Sequence, residues 1–338
     1  MSEPILIWGA GAIGGVLGAY LARAGHAVHM VDIVEAHVEA MRSDGLHVEG
    51  PVETFTQVLP ASTPTELQGQ FSRIILAVKA HHTEAALDML VPHLAPGGYV
   101  VSAQNGLNEI VIADRIGAEN TVGCFVNYGA DWLEPGRILY GNRAAVAIGE
   151  LDGQITDRVR EIHALFSIVE PEAVLTDNIW GYLWGKLGYG ALLFATALTP
   201  LSMSDAMANP DHRAVYQALG HEVMRLADAQ NIRPLGFNGF DPDAFLKGDQ
   251  AGMDASLAAM VEHNRHTAKT HSGIWRDLAV RKRRTEVDAQ VGLLVELGEK
   301  HGVKTPTLSR LVELIHDIED GRRAQSADLV DLMVPLCN

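Results

Sequence analysis

Three glycines, Gly9, Gly11 and Gly14, stand in Gly-x-Gly-x-x-Gly spacing directly after the apolar run Ile5-Leu6-Ile7-Trp8. After a strand, this spacing serves a pyrophosphate. The first glycine permits a tight turn, the second lets phosphates approach the backbone, and the third lets the next helix pack on the strand. The amides around Ala10, Ala12 and Ile13 then face the anion, assisted by the helix dipole. A helix is predicted over 15–24, ended by Gly25, and a second strand, 27–31, runs into Asp32. An acid about 20 residues past the glycines accepts hydrogen bonds from the adenosine ribose and repels a 2′-phosphate. Asp32 therefore points to NAD(H) over NADP(H). The plain alternative is a turn-forming Asp before the next helix.

Three further residues stand where chemistry is expected. Lys79 follows the apolar run 74–78, and Asn105 follows the run 99–102. In open α/β sheets, ligands lie beyond the carboxyl ends of the strands, so both side chains emerge toward a cofactor. Read alone, Lys79 is a helix-start lysine and Asn105-Gly106 a turn. Lys186 sits inside the very apolar stretch 178–198. A lysine there either snorkels to water or is used, and desolvation lowers its pKa toward that of a general acid at neutral pH.

The elements that must position these groups follow from the pattern. The first half alternates strand and helix, with later strands at 121–126 and 144–148, which predicts an α/β, doubly wound, mostly parallel sheet. From about residue 176 the texture turns helical. One long buried helix is predicted over 178–198, a loop insertion over 234–256, one or two long helices over 258–302, and a last helix from Thr305-Pro306 to Gly321. The expected division is a dinucleotide-binding domain over 1–176 and an all-helical substrate and dimerisation domain over 177–338.

Composition bounds the function. The chain of 338 residues is 47% hydrophobic and 20% charged, with a net charge of −16 from 26 basic and 42 acidic residues. That balance fits a globular protein and argues against a nucleic-acid surface. The cluster Arg281-Lys282-Arg283-Arg284 reads as a solvated helix face or an aid to an anionic ligand. The 2 cysteines make no disulfide framework, and the 15 histidines show no paired ligand spacing, so no metal is expected. With no signal peptide expected before the strand at residue 5 and no long apolar span, a cytoplasmic protein is predicted. The apolar C-terminal helices point to a homodimer.

With these sites in place, the chain resembles the ketopantoate reductase family over essentially its whole length. The resemblance rests on the N-terminal glycine turn, Val78-Lys79, Gln104-Asn105-Gly106, Lys186-Leu187 and Thr285-Glu286-Val287-Asp288. It implies a Rossmann domain followed by a helical domain of the 6-phosphogluconate dehydrogenase C-terminal type, reducing a 2-oxo acid, with NADP(H) as the family's usual cofactor. Carried over, Lys186 is the general acid, Glu286 anchors a substrate hydroxyl or orients the site, and Asn105 and Lys79 contact cofactor and substrate.

The departures from the family are as informative. Where the family places Asn four and eight positions after the lysine, this chain has Gly190 and Phe194, with Tyr189 as a nearby hydroxyl. Asp32-Ile33 replaces the Arg that matches a 2′-phosphate. The carboxylate-binding serine aligns on Gly273, leaving Ser272 beside it and Arg276 as a bidentate candidate. A pocket stripped of its hydrogen-bonding groups rejects its former substrate. The expectation is a divergent NAD(H)-dependent oxidoreductase for a 2-oxo or 2-hydroxy acid with a more apolar part, facing Phe194, Trp184 and Trp275. The alternatives are a genuine 2-dehydropantoate 2-reductase and a non-catalytic dinucleotide-binding redox sensor.

Overall fold

A computed structural model of the chain describes residues 3–267 and 269–337. The chain divides into two units, Met1–Ile179 and Trp180–Asn338. In the first unit, among the described residues, twelve strands form two sheets. They are β1 (Ile5–Trp8), β2 (Val28–Val31), β3 (Leu46–Glu49), β4 (Phe55–Gln57), β5 (Ala61–Ser62), β6 (Phe71–Leu76), β7 (Leu94–Ser102), β8 (Thr121–Val126), β9 (Gly129–Glu134), β10 (Arg137–Asn142), β11 (Val146–Glu150) and β12 (Val174–Leu175). The eight-stranded sheet has the order β12-β11-β8-β7-β6-β1-β2-β5, and the second sheet the order β4-β3-β10-β9.

β1 explains why its sequence is apolar at every position. Ile5 and Ile7 join the core on one face of the sheet, while Leu6 and Trp8 join the core on the other. A parallel strand covered on both faces has no position for a polar residue. β1 pairs in parallel with β2 on one side and with β6 on the other. The chain thus reverses its direction of travel across the sheet at β1, which is the switch point where open α/β sheets bind ligands. Only β11, antiparallel to β8, breaks the parallel run among the larger strands.

The second sheet and the layout of the helical region depart from the sequence reading. Strands β3, β4, β9 and β10 carry many half-buried or exposed side chains, so no long apolar run announces them. Residues 234–256 are not one loop insertion, because helices Pro242–Lys247 and Gln250–Arg265 occupy much of that span. Asp241 caps the first, accepting from the amides of Asp243 and Ala244, and Gly248 closes it in the left-handed region at φ 64°. Nor is 258–302 one or two long helices. It breaks into the end of Gln250–Arg265, then Gly273–Ala279, a π-helical turn Asp288–Gly292, and Leu293–His301.

The helix Ile179–Thr196 and the helix Pro306–Glu319 lie close to their predicted spans. The latter is capped by a distant acid. Glu222 accepts the amides of Thr307 and Leu308 at 2.9 Å each. Burial outweighs these bonds and pushes the Glu222 carboxyl above its ordinary pKa. Among the described residues, no helix is long and apolar enough to cross a membrane.

Candidate active site

The cofactor-binding candidates converge at the carboxyl ends of adjacent strands. Gly9 follows β1, Asp32 follows β2, Val78-Lys79 follows β6, and Asn105 follows β7. Backbone bonds set the stagger of these ends: Gly9 N–H donates to Val31 at 2.8 Å, and Ala77 N–H donates to Trp8 at 2.8 Å. Gly9 adopts φ 97°, a conformation that favours glycine, and a Cβ there would also lie 2.8 Å from the Val78 backbone nitrogen. A Cβ on Gly14 would strike the Gly9 carbonyl, so this glycine sets how closely the next helix, α1 (Ala12–Arg23), lies on β1. A Cβ on Gly11 would meet no described atom within 4 Å.

The Ala10 peptide is held on both sides. Its N–H donates to Asp32 Oδ2 at 3.0 Å, and its carbonyl lies 2.9 Å from His37 Nε2. His37 is buried, and its Nδ1 accepts the Gly136 N–H at 2.9 Å. That bond assigns the lone pair to Nδ1 and the proton to Nε2, so the imidazole donates to Ala10. Tyr128 donates to the Ile13 carbonyl at 2.9 Å, and burial pushes its hydroxyl well above the ordinary phenol pKa, keeping it a donor. The turn is therefore braced by Gly136, at the β9–β10 turn, and by Tyr128, just before β9. The histidine and the tyrosine carried no local motif.

These groups pass a fit test for a dinucleotide. α1 begins at Gly11 with no side-chain cap and no acid in its first turn, so its first amides keep their capacity for an anion. Asp32 Oδ1 accepts the Val34 N–H at 3.0 Å, so each carboxylate oxygen takes one backbone donor and retains a lone pair for a ribose hydroxyl. The turn reading and the ribose reading of Asp32 are thus compatible. At the next strand ends, Gln104 donates from Nε2 to the Val78 carbonyl at 2.9 Å and to Thr83 Oγ1 at 2.8 Å, while Thr83 donates to Asn108 at 2.8 Å. Asn108 in turn donates to the Asn105 carbonyl. This buried chain ties the Lys79 turn to the Asn105 turn.

In the second unit, Lys186 is half-buried and is the one charged residue of its 18-residue helix Ile179–Thr196. Gly190 lies one turn further on and is also half-buried. Tyr189 is buried, and its hydroxyl is engaged with Asn264, which donates from Nδ2 at 2.9 Å. Burial raises the Tyr189 pKa. Asn264 was missed in the sequence because it lies 75 positions away from Tyr189, in the span read only as one or two long helices.

Several substrate candidates are placed differently from expectation. Trp184 and Phe194 are 0% and 1% exposed, and their rings fill the hydrophobic interior of the helix packing. Trp275 is half-buried and spends its indole N–H on the Thr199 carbonyl at 3.1 Å. Ser272 is buried as the N-cap of Gly273–Ala279, accepting the Trp275 amide at 3.1 Å, which is the ordinary use of a serine there. Arg276 is half-buried on the same helix. The basic run 281–284 is not a helix face: Arg281 and Arg283 pair with Asp277, and Arg284 with Glu319 and Asp320. Glu286 is half-buried just before the π-helical turn, and Glu319 fixes its neighbour by accepting the Thr285 amide at 2.7 Å and hydroxyl at 2.8 Å.

A glycine turn at the switch point of a doubly wound sheet, followed by an all-helical unit, defines a two-domain oxidoreductase of the dinucleotide-binding type. Comparison with known proteins makes this specific. The family pattern described as "Ketopantoate reductase PanE/ApbA" matches residues 5–153, and its C-terminal counterpart matches 178–319. The chain belongs to the ketopantoate reductase family. It is 29% identical to a 2-dehydropantoate 2-reductase of Mesorhizobium japonicum, covering 92% of this chain and 96% of the relative. The crystal structure of a PanE/ApbA family ketopantoate reductase from Ralstonia eutropha superimposes with a TM-score of 0.78 at 26% identity, covering 95% of this chain and 100% of that one. A D-mandelate dehydrogenase, in a ternary structure with NADH and anilino(oxo)acetate, shares the fold with a TM-score of 0.80 at 22% identity, covering 94% of this chain and 99% of that one.

Proposed function

We propose that this chain is an NAD(H)-dependent oxidoreductase that interconverts a 2-oxo acid and its 2-hydroxy acid, with Lys186 as the general acid and base. The observation that carries the reading is the single half-buried ammonium in an otherwise uncharged helix. A bound nicotinamide supplies the hydride. The turn amides from Ala10 to Gly14 and Asp32 hold the dinucleotide, and Lys79 and Asn105 contact cofactor and substrate. As negative charge grows on the substrate oxygen, Lys186 stabilises it and delivers a proton there. Arg276 grips the carboxylate, and Glu286 orients the substrate. The protein works without a metal and as a homodimer, the latter supported by exposed Leu332, Val334 and Leu336 near the C-terminus.

A second reading, a genuine 2-dehydropantoate 2-reductase, is favoured by the name of the relative at 29% identity. Gly190 and the buried Phe194 speak against it, since neither carries a hydrogen-bonding side chain. The test is the initial rate of ketopantoate reduction with NADH and with NADPH, beside a panel of other 2-oxo acids. Reduction of another 2-oxo acid with NADH, and little of ketopantoate, is expected. Efficient ketopantoate turnover with NADPH overturns the proposal in favour of the second reading.

A further inference from the structure

Glycine inside a helix needs a reason, because it weakens the helix relative to alanine. Most helical glycines here have one. A Cβ on Gly188 would lie 2.6 Å from the Phe240 ring, and on Gly185 or Gly220 it would strike the Leu235 carbonyl or the Phe245 ring. Gly190 has neither reason: its φ lies outside the left-handed region, and a Cβ there would meet nothing within 4 Å. Among the glycines whose surroundings are described, Gly11 and Gly273 alone share that pairing of ordinary backbone and open space. Gly11 is where a phosphate approaches the backbone.

We infer that Gly190 is a specificity residue, kept small because the substituent on carbon 2 of the substrate occupies the space a side chain would fill. This rests on the reading of Lys186, one helical turn away, as the proton donor. The substituent is bulky and apolar. After Lys186, the same helix offers only the Tyr189 hydroxyl, engaged with Asn264, and the terminal Thr196, which donates to the Leu193 carbonyl at 2.8 Å. Nothing near Gly190 on that helix can compensate the desolvation of a substrate hydroxyl, whereas an aromatic or branched aliphatic group loses nothing there. The substrate class is a 2-oxo acid bearing such a group.

The test uses the full-length protein with Gly190→Ala and Gly190→Leu, measured for thermal stability and for kcat/KM on pyruvate, 4-methyl-2-oxopentanoate, phenylglyoxylate and ketopantoate. Wild type should favour the two bulky apolar acids. Gly190→Ala should raise Tm by about 1–2 °C, since the helix gains and no neighbour is displaced. The same variant should cut kcat/KM for the bulky acids about tenfold and leave pyruvate nearly unchanged. Gly190→Leu should abolish turnover of the bulky acids. A purely structural glycine predicts the opposite stability change and no substrate dependence. A lowered Tm for Gly190→Ala, equal losses on all substrates, or a wild-type preference for pyruvate or ketopantoate overturns the inference. Lys186→Ala, assayed in parallel, tells the two failures apart: unchanged turnover there overturns the proton donor and the placement of the substrate at Gly190 with it, whereas lost turnover there with equal losses on all substrates at Gly190 overturns the glycine alone.

Discussion

Asp32 offers the sharpest quantitative test of the cofactor reading. Its oxygens accept the Ala10 and Val34 amides at 3.0 Å each, leaving about two of a carboxylate's four lone-pair sites for a ribose. A hydroxyl donating to an ionised group contributes about 1.5–3 kcal/mol. A 2′-phosphate some 4 Å from the same carboxylate instead meets a repulsion of about 1 kcal/mol in a water-like medium and about 4 kcal/mol nearer the protein dielectric. Asp32 is half-buried, so the lower part of each range applies, and the sum of roughly 2.5–4 kcal/mol makes NADH bind about 10²- to 10³-fold more tightly than NADPH. Asp32→Asn removes the charge and leaves one backbone amide poorly met. That second loss weakens the turn for both cofactors equally and cancels in their ratio. Fluorescence titration of wild type and variant with each reduced cofactor should show the ratio of Kd values falling to within about tenfold of unity. If wild type binds both alike, or if Asp32→Asn weakens both and leaves the ratio unchanged, Asp32 is a turn residue and nothing more.

The remaining predictions concern the proton donor, the brace and a buried cap. Lys186→Ala should lower kcat by about 10²-fold or more while NADH affinity stays within about twofold, read by steady-state kinetics and titration. An unaffected kcat removes Lys186 from the chemistry. His37→Ala leaves the Gly136 amide and the Ala10 carbonyl unmet, and should weaken NADH and NADPH together by about tenfold. A change in their ratio would contradict a purely positional role. Glu222 has a raised pKa when folded, so the folded chain binds that proton more tightly than the unfolded one. Its contribution to stability is greatest below the unfolded pKa and falls as pH rises through the folded pKa. The Tm difference between wild type and Glu222→Gln should therefore move in favour of the variant as pH rises across the acid range, and a pH-independent difference would refute this.

What could be read from the sequence was local. β1, the glycine turn, β2 and Asp32 lie within 28 residues, and a strand buried on both faces writes itself as an unbroken apolar run. Lys79 and Asn105 were legible as strand-end residues for the same reason. The groups that hold the glycine turn and the Tyr189 hydroxyl were not. His37 meets Gly136 at a separation of 99 positions, Tyr128 reaches Ile13 across 115, and Asn264 meets Tyr189 across 75. The helix Gln250–Arg265 hid behind Gly252, Asp249 and Asp254, residues that also make loops. Ser272 and Trp275 were read as facing a substrate because the family resemblance aligns a carboxylate-binding serine beside Ser272 and because an apolar substrate part would suit a tryptophan. A helix cap and a carbonyl partner account for them instead.

The bracing of the glycine turn has a consequence for anyone who would transplant it. Residues 5–37 look like a self-contained cassette, yet the hydrogen bonds that hold its Ile13 carbonyl and its His37 ring arrive from Tyr128 and Gly136. The portable module is discontinuous, residues 5–37 with 128–137, and moving the first part alone strips the Ile13 carbonyl and His37 Nδ1 of these two partners.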